Sequence, residues 1–464
     1  MIFPEISIFL FSVIFLVLSL VKGSVRIVTV AKVLSLLVLL VSLLSLAGSG
    51  RFFSGAYKID LFSQVFKLIL SAGFCLVIAM FNGKEEIEEN YLPEYFMFLG
   101  FSTLGLMMLA SSVEFISMVI SLEVSSYSLY AIVPLRKRQG AKQFEAALKY
   151  LLFGAIATGI MVYGMSYLYG YTRSTFLPQV VVAMPTLLRE PMGVFALVLT
   201  LSGFFFKLSL FPFHFWAPDV YEGASNTTTT FIATVPKVAA TAVIIRISVL
   251  AFPAAPAFVT VLLVLSALSM TFGNLVGLVQ RDLKRLLAYS GIAHAGYLLM
   301  GIIALSPEGI VSAVYYITIY LFMNLGAFYV IMLLAKTGEN VTFDGLTGLA
   351  KRAPLLALTL AVSAFSLAGI PPTGGFTGKL LLFTNAFREG YLVIVIIGAV
   401  NSVISIFYYL NLVRMSYSKE RALSEPILLS FSQKAICYVL IFFMLYMGLV
   451  PFSLIEFFRL SLYI

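Results

Sequence analysis

Charge is scarce in this sequence. Of 464 residues, 11% are Asp, Glu, Lys or Arg and 61% are hydrophobic, a balance that excludes a conventional soluble protein. Long polar stretches, linkers and low-complexity tracts are absent, so a single integral-membrane domain is expected. Segments of about ten residues with alternating hydrophobicity are absent too, which excludes a transmembrane β-barrel. Cysteine is limited to Cys75 and Cys437, both in apolar segments without a CxxC or Cys/His companion. That argues against a disulfide framework, an iron–sulfur cluster and a zinc site. No glycine-rich nucleotide or phosphate loop occurs, so the chain reads as redox-silent, with no metal and no cofactor of its own. The first apolar run opens on Pro4 and Glu5 without a basic n-region or a small-residue cleavage site. It reads as a retained helix rather than a signal peptide.

What the sequence does have is apolar runs near the ~20 residues that cross a bilayer, repeated along its length. Lipid satisfies no backbone hydrogen bond, so such runs must be helices. Fourteen spans are expected, near 4–21, 27–46, 59–81, 93–112, 114–134, 146–170, 192–213, 228–250, 256–279, 285–305, 308–335, 354–388, 391–414 and 432–457. The twelfth is too long for one straight helix, and its Pro-Pro-Thr-Gly-Gly centre predicts two half-helices.

Basic residues follow the odd-numbered spans: Arg136-Lys137-Arg138 with Lys142, Arg281 with Lys284 and Arg285, Lys351-Arg352, and Arg414 with Lys419 and Arg421. Loops after even-numbered spans hold only scattered cations such as Arg51, Arg173 and Arg388. The net charge of +9 is therefore a topology signal and not a nucleic-acid footprint. Odd-span loops are expected in the cytoplasm of a cell-membrane protein, with both termini outside. The acidic run at 84–89 falls on the cytoplasmic side, where carboxylates contribute little to the rule.

Spans 4–8 and 9–13 form two groups of five. In each group the fourth span is interrupted and carries a lysine, Lys207 and Lys379, and the second carries a lone ionisable residue, Glu123 and His294. Five is odd, so the second group enters from the opposite side of the membrane, which makes an inverted repeat. The expected fold is an all-α polytopic membrane protein with broken helices 7 and 12. Helices 1–3 occupy 1–92, the two five-helix repeats 93–250 and 256–414, and the last helix 415–464.

Lysine sits deep in three apolar segments, Lys207 in 194–215, Lys237 in 228–250 and Lys379 in 355–387. A lysine near a bilayer centre costs about 2.5–3.5 kcal/mol on insertion scales, so it usually faces the protein interior or a hydrated path. Glu123, in mid-span, is expected to pair with Lys207, each supplying the other's counter-charge. The alternative is a static ion pair that locks two helices. Lys237 has no carboxylate nearby in sequence and is a candidate proton carrier, with snorkelling to a headgroup as the bland alternative. Lys379 follows the double-proline break, beside freed backbone groups, where a purely structural lysine is the alternative. His294 could relay protons between Lys237 and Lys379 or be a hydrogen-bonded core residue. His214, beside Pro212 and Trp216, reads as structural. Glu114 and Lys67 lie nearer span ends, and Arg246 lies deeper than snorkelling explains, without a role.

Three stretches carry a resemblance. They are Phe204-Phe-Phe-Lys-Leu-Ser-Leu-Phe-Pro-Phe-His-Phe-Trp-Ala-Pro-Asp-Val-Tyr-Glu-Gly223, Gln280-Arg-Asp-Leu-Lys-Arg-Leu-Leu-Ala-Tyr-Ser-Gly-Ile-Ala-His-Ala-Gly-Tyr297 and Ala368-Gly-Ile-Pro-Pro-Thr-Gly-Gly-Phe-Thr-Gly-Lys379. Together they resemble the antiporter-like subunits of respiratory complex I, which share ancestry with Mrp-type sodium/proton antiporters. The Pro-Asp-Val-Tyr-Glu-Gly loop and lysine at both 237 and 379 resemble the N-type branch.

The resemblance implies a proton-translocating membrane-arm subunit of an NADH:quinone oxidoreductase, with protons passing along Glu123, Lys207, Lys237, His294 and Lys379. It implies that NADH, FMN, iron–sulfur clusters and quinone belong to partner subunits. The implied neighbours are an M-type antiporter-like subunit and small K-, J- and A-type subunits. The alternatives are an Mrp-type antiporter subunit and a non-conducting spacer of the membrane arm. Ala224-Ser-Asn-Thr departs from the proline-rich sequence usual in relatives, which is expected to loosen the loop before span 8.

Overall fold

The computed structural model describes residues 2–21, 26–81, 86–137, 140–251, 256–335, 338–418 and 426–462, the side chains of 249–251 excepted. Arg138, Lys419, Arg421 and the start of the acidic run at 84–85 lie outside these residues.

The first half contains α1 (Phe3–Leu20), α2 (Ile27–Leu44), α3 (Leu61–Met80), α4 (Leu92–Ser111), α5 (Phe115–Ile132), α6 (Ala141–Thr172), α7 (Leu177–Leu187), α8 (Pro191–Leu208), α9 (Trp216–Gly223) and α10 (Asn226–Ala251). The second contains α11 (Pro256–Gly277), α12 (Leu283–Ile303), α13 (Pro307–Leu334), α14 (Phe343–Leu346), α15 (Leu349–Arg352), α16 (Pro354–Ala368), α17 (Gly374–Arg388), α18 (Leu392–Tyr417), α19 (Phe431–Leu449) and α20 (Pro451–Leu462). A two-stranded hairpin, β1 (Gly50–Phe52) and β2 (Tyr57–Ile59), joins α2 to α3. Thirteen helices among the described residues are long and apolar enough to cross a membrane. The half-helices α16 and α17 supply the fourteenth crossing, so the span count agrees with the sequence.

Local chemistry sets the helix starts. Proline occupies the first turn of α1, α4, α8, α13 and α16, where its missing N–H costs nothing. Asp60 and Ser430 make capping boxes with Ser63 and Gln433, and Glu114, Asp282 and Ser306 cap α5, α12 and α13.

Several elements differ from expectation. The sixth span is the 32-residue α6, longer at both ends than 146–170. Short α7 was not expected at all. Pro218–Gly223, expected as a loop, is helical within α9. The last span divides at Pro451 into α19 and α20. The segment after Gly223 is not loose either. Ser225 accepts from Thr228 N (3.2 Å) and its hydroxyl donates to the Thr228 hydroxyl (2.8 Å), so serine does the work expected of proline.

Loops alternate between two faces. On one, Arg136 donates to the backbone oxygens of Glu222 (2.8 Å) and Gly338 (2.7 Å) and to Asn340 Oδ1 (2.8 Å). Ile87 bridges Arg136, and Asp282 bridges Thr342. These are the loops after spans 3, 5, 7, 9 and 11. On the opposite face Tyr57 bridges Ser112, and Glu114 bridges Phe176, joining the loops after spans 2, 4 and 6. The core centres on α10, α12 and α13. Every residue of 226–248 is buried, as are 94% of the most apolar windows of α12 and α13. The corresponding shares for α2 and α19 are 22%.

Candidate functional site

Two helix breaks organise the interior. The C-terminus of α8 turns at Ser209, whose φ is 60°, and Leu210 N donates to Phe205 O (3.0 Å) while Ser209 N donates to Phe206 O (2.9 Å). The C-terminus of α16 repeats the pattern. Gly369 has φ 85°, Ile370 N donates to Phe365 O (2.9 Å) and Gly369 N to Ser366 O (3.1 Å). This is a Schellman closure in both places. It leaves the last carbonyls without helical donors, each a partial negative charge at the end of a helix dipole.

Lysines occupy those carbonyls. Lys237 Nζ donates to Leu208 O at 2.9 Å and lies 3.4 Å from Gly291 O. Lys379 Nζ donates to Ala368 O at 3.0 Å. Leu208 and Ala368 are the last residues of α8 and α16, so the two lysines fill equivalent positions. Neither has a carboxylate within ion-pair distance among the described residues. Both are buried, as is Lys207.

The expected Glu123–Lys207 pair is not a contact. Glu123 is half-buried on α5 and accepts a hydrogen bond from Thr158 at 2.5 Å. Lys207 Nζ has no hydrogen-bond partner and stands 5.6 Å from the centre of the Tyr150 ring. The geometry is not that of a locked ion pair.

His294 lies where a relay between Lys237 and Lys379 would stand. Its Nδ1 is 2.7 Å from the Tyr316 hydroxyl and its Nε2 3.1 Å from that of Tyr409. Tyr409 in turn shares a hydrogen bond with Ser290. A cavity of about 10 Å³ separates Lys237 from His294, lined also by Leu208, Tyr316 and Tyr320. That is room for about one water. On the far side, Lys379 sits 4.6 Å from the Tyr297 ring centre, and the Tyr297 hydroxyl is bonded by Asn274 and Ser402. His214 is stacked on Phe211 and packs against Phe272, and its Nδ1 has no hydrogen-bond partner.

The tyrosines were not foreseen. Four buried lysines each face one: Lys67 over Tyr57 (5.5 Å), Lys207 over Tyr150 (5.6 Å), Lys237 over Tyr320 (5.7 Å) and Lys379 over Tyr297 (4.6 Å). An aromatic face stabilises a desolvated cation without supplying a counter-ion. The spacing of Tyr316 and Tyr320 on one face of α13 was the available signal.

Two further ion pairs also escaped notice. Lys67 is wholly buried and meets Glu5 at 2.6 Å. Arg246 makes a two-pronged bond to Asp60 (3.0 and 3.1 Å) and reaches Ala110 O, which explains its depth.

The NADH:quinone oxidoreductase/Mrp antiporter transmembrane family matches residues 112–405. A protein named NADH-quinone oxidoreductase subunit N 2, from Opitutus terrae, is 43% identical over 457 residues, covering 98% of this chain and 95% of its own. The chain belongs to this family, in its subunit N branch. A second subunit N 2, from Solidesulfovibrio magneticus, is 48% identical over 381 residues, covering 82% of this chain and 81% of its own. Among solved structures, a chain of respiratory complex I from Thermus thermophilus with bound aureothin superposes with a TM-score of 0.84 at 31% identity, covering 98% of each. A chain of the Mrp complex from Dietzia shares the fold at TM-score 0.85 and 20% identity, over 98% of this chain and 96% of that one. The family match encloses Glu123, Lys207, Lys237, His294 and Lys379. Glu5, Asp60 and Lys67 lie before it.

Proposed function

We propose that this chain is a proton-translocating membrane-arm subunit of an NADH:quinone oxidoreductase, moving protons along Glu123, Lys207, Lys237, His294 and Lys379. The observation that carries the reading is the placement of Lys237 and Lys379. Each holds its ammonium on a carbonyl freed by a helix break, with a tyrosine ring beside it and no carboxylate to fix its charge. A proton leaving such a lysine breaks no ion pair and weakens only hydrogen bonds to backbone carbonyls. The protonation state and the shape of the break are therefore linked.

In this reading 93–250 and 256–414 act as two inverted units, preceded by helices 1–3 and followed by the residues from 415 on. The face built around Arg136 is cytoplasmic, and both termini lie on the outer side of the cell membrane. Flavin, iron–sulfur and quinone chemistry and NADH oxidation belong to partner subunits, and this chain's membrane-arm neighbours are an M-type antiporter-like subunit and small K-, J- and A-type subunits.

The test is Lys237→Arg. An arginine keeps charge and approximate length but stays protonated at physiological pH. The variant is expected to assemble and to lose proton pumping by about a hundredfold or more, the scale on which a positioned proton-transfer group contributes. The measurement is quinone-coupled proton uptake in membrane vesicles, with assembly checked on the same membranes. Assembled Lys237→Arg complex that pumps at the unmodified rate rules out Lys237 as a cycling carrier and favours the spacer.

A further inference from the structure

Burying a hydroxyl without a hydrogen-bond partner costs free energy, and native proteins rarely tolerate it unless water reaches the group. Among the described residues, three such atoms fall on adjoining elements: Lys207 Nζ on α8, the Tyr150 hydroxyl on α6 and the Tyr221 hydroxyl on α9. All three residues are at most 2% exposed.

Loose side chains do not explain the unpaired atoms. The Tyr150 ring is stacked on Trp216 (4.7 Å) and Phe206 (5.9 Å) and edge-on to Tyr130 (4.9 Å). Tyr221 is wedged edge-on between Trp216 (6.2 Å) and Phe328 (6.1 Å). The rings are fixed by packing, so the direction of each hydroxyl is fixed too. Trp216 itself is satisfied, donating to Phe206 O at 3.1 Å.

The positions form a sequence. Lys207 faces the Tyr150 ring, and Tyr150 and Tyr221 pack against the same Trp216. Tyr320 faces Lys237, and its hydroxyl donates to Ala233 O at 3.3 Å. The gap between Lys207 and Lys237 is thus bounded by phenols, two of them unpaired.

We propose that the hydroxyls of Tyr150 and Tyr221 are proton relays between Lys207 and Lys237, joined by ordered water. The inference rests on the reading of those lysines as proton carriers. In each step the proton leaves the Lys207 ammonium for a water, and that water passes one of its own protons to the phenol oxygen. The phenol's original proton departs to the next water, so one O–H bond forms as another breaks and the phenol ends neutral. No phenolate, oxidant or metal is needed.

The experiment compares Tyr150→Phe, Tyr221→Phe and Lys237→Arg in the assembled complex. Phenylalanine keeps the ring packing and removes only an unpaired oxygen, so assembly and melting temperature should hold or rise slightly. Pumping per NADH oxidised is expected to fall by about a hundredfold, the lower end of what a lost proton-transfer group costs. A merely structural phenol would give the opposite pairing, unchanged pumping with the same or better stability, and that result overturns the relay. If both phenylalanine variants pump normally while Lys237→Arg does not, the relay fails and the lysine path stands. If Lys237→Arg also pumps normally, both fail together. A map of the unmodified complex that resolves waters gives an independent check. Water hydrogen-bonded to either phenol supports the relay, and dry phenols in a map with waters elsewhere in this chain overturn it.

Discussion

Asp60 and Arg246 stand 186 positions apart in sequence, yet they form one buried unit at the start of α3 and the end of α10. Burial pushes the Asp60 carboxyl up, but the Arg246 charge and hydrogen bonds, helped by Ser63 N, outweigh it and hold the group at about 2. A carboxyl depressed in the folded state contributes stability above its unfolded value near 3.9, and that contribution disappears as pH falls towards 2. The linkage is worth about 2–3 kcal/mol. Melting of the purified chain in detergent should therefore be flat between neutral pH and about 5 as far as this group is concerned, then fall. In Asp60→Asn the acid-dependent loss should shrink and the neutral-pH melting temperature should drop, because the guanidinium is left without its partner. An unchanged acid limb in the variant would remove Asp60 from the account. Glu123 allows a second test. Its carboxylate is steadied by Thr158 and not locked to Lys207, so Glu123→Asp should retain part of the pumping and Glu123→Ala should lose most of it in vesicle assays. Normal pumping in Glu123→Ala would leave Glu123 without a role in transfer. The intramembrane lysines were legible in the sequence because a charge inside an apolar run has no cheap explanation. Their tyrosines were not, since a phenol is ordinary in a membrane helix and declares itself only through geometry. Arg246 was visible as an anomaly and inexplicable without Asp60.

At the scale of elements, the break between α16 and α17 is a close crossing as well as a turn. A Cβ on Gly375 would stand 1.8 Å from Ser366 O, and Gly375 N donates to Ser366 Oγ at 3.1 Å. The two half-helices therefore touch backbone to backbone, which keeps Lys379 within reach of Ala368 O. Gly375→Ala should push α17 away and carry Lys379 off its carbonyl, lowering both the assembled fraction and the pumping of what assembles. Gly159→Ala on α6, where a Cβ meets nothing within 4 Å, is the matched control. Native gels and vesicle proton uptake read both effects, and full pumping by assembled Gly375→Ala would show that the crossing is dispensable. Pro371, Pro372 and the glycines around them announced this break. The earlier break falls before the expected end of span 7 at 213, because α8 ends at Leu208 through a left-handed serine that composition does not reveal. The helical turn at Trp216–Gly223 was missed for a related reason. Its one-sided polarity reads as a loop until Lys149 and Arg285 are found bonded to Asp219 (2.6 and 2.7 Å).

For the whole molecule, the alternation of loop contacts makes topology testable in full. A reporter inserted in the 136–142 loop should read cytoplasmic and one fused after Ile464 should read external. Both on one side would break the fourteen-crossing count. The count was legible because hydrophobic length is a strong constraint in lipid. Which helices face lipid was not, since α10, α12 and α13 are no more apolar than the rim. That arrangement has a consequence for how the molecule lives in bilayers of different thickness. The most exposed helices, among them α1, α2, α6, α18 and α19, bear none of Lys207, Lys237 and Lys379. Hydrophobic mismatch is absorbed by tilt and local adjustment at the lipid boundary, at a fraction of a kcal/mol per Å. Here that boundary is a sleeve around α10, α12 and α13. Changes in acyl-chain length are absorbed by the sleeve, while Lys237 and His294 stand inside it, out of reach of the acyl chains.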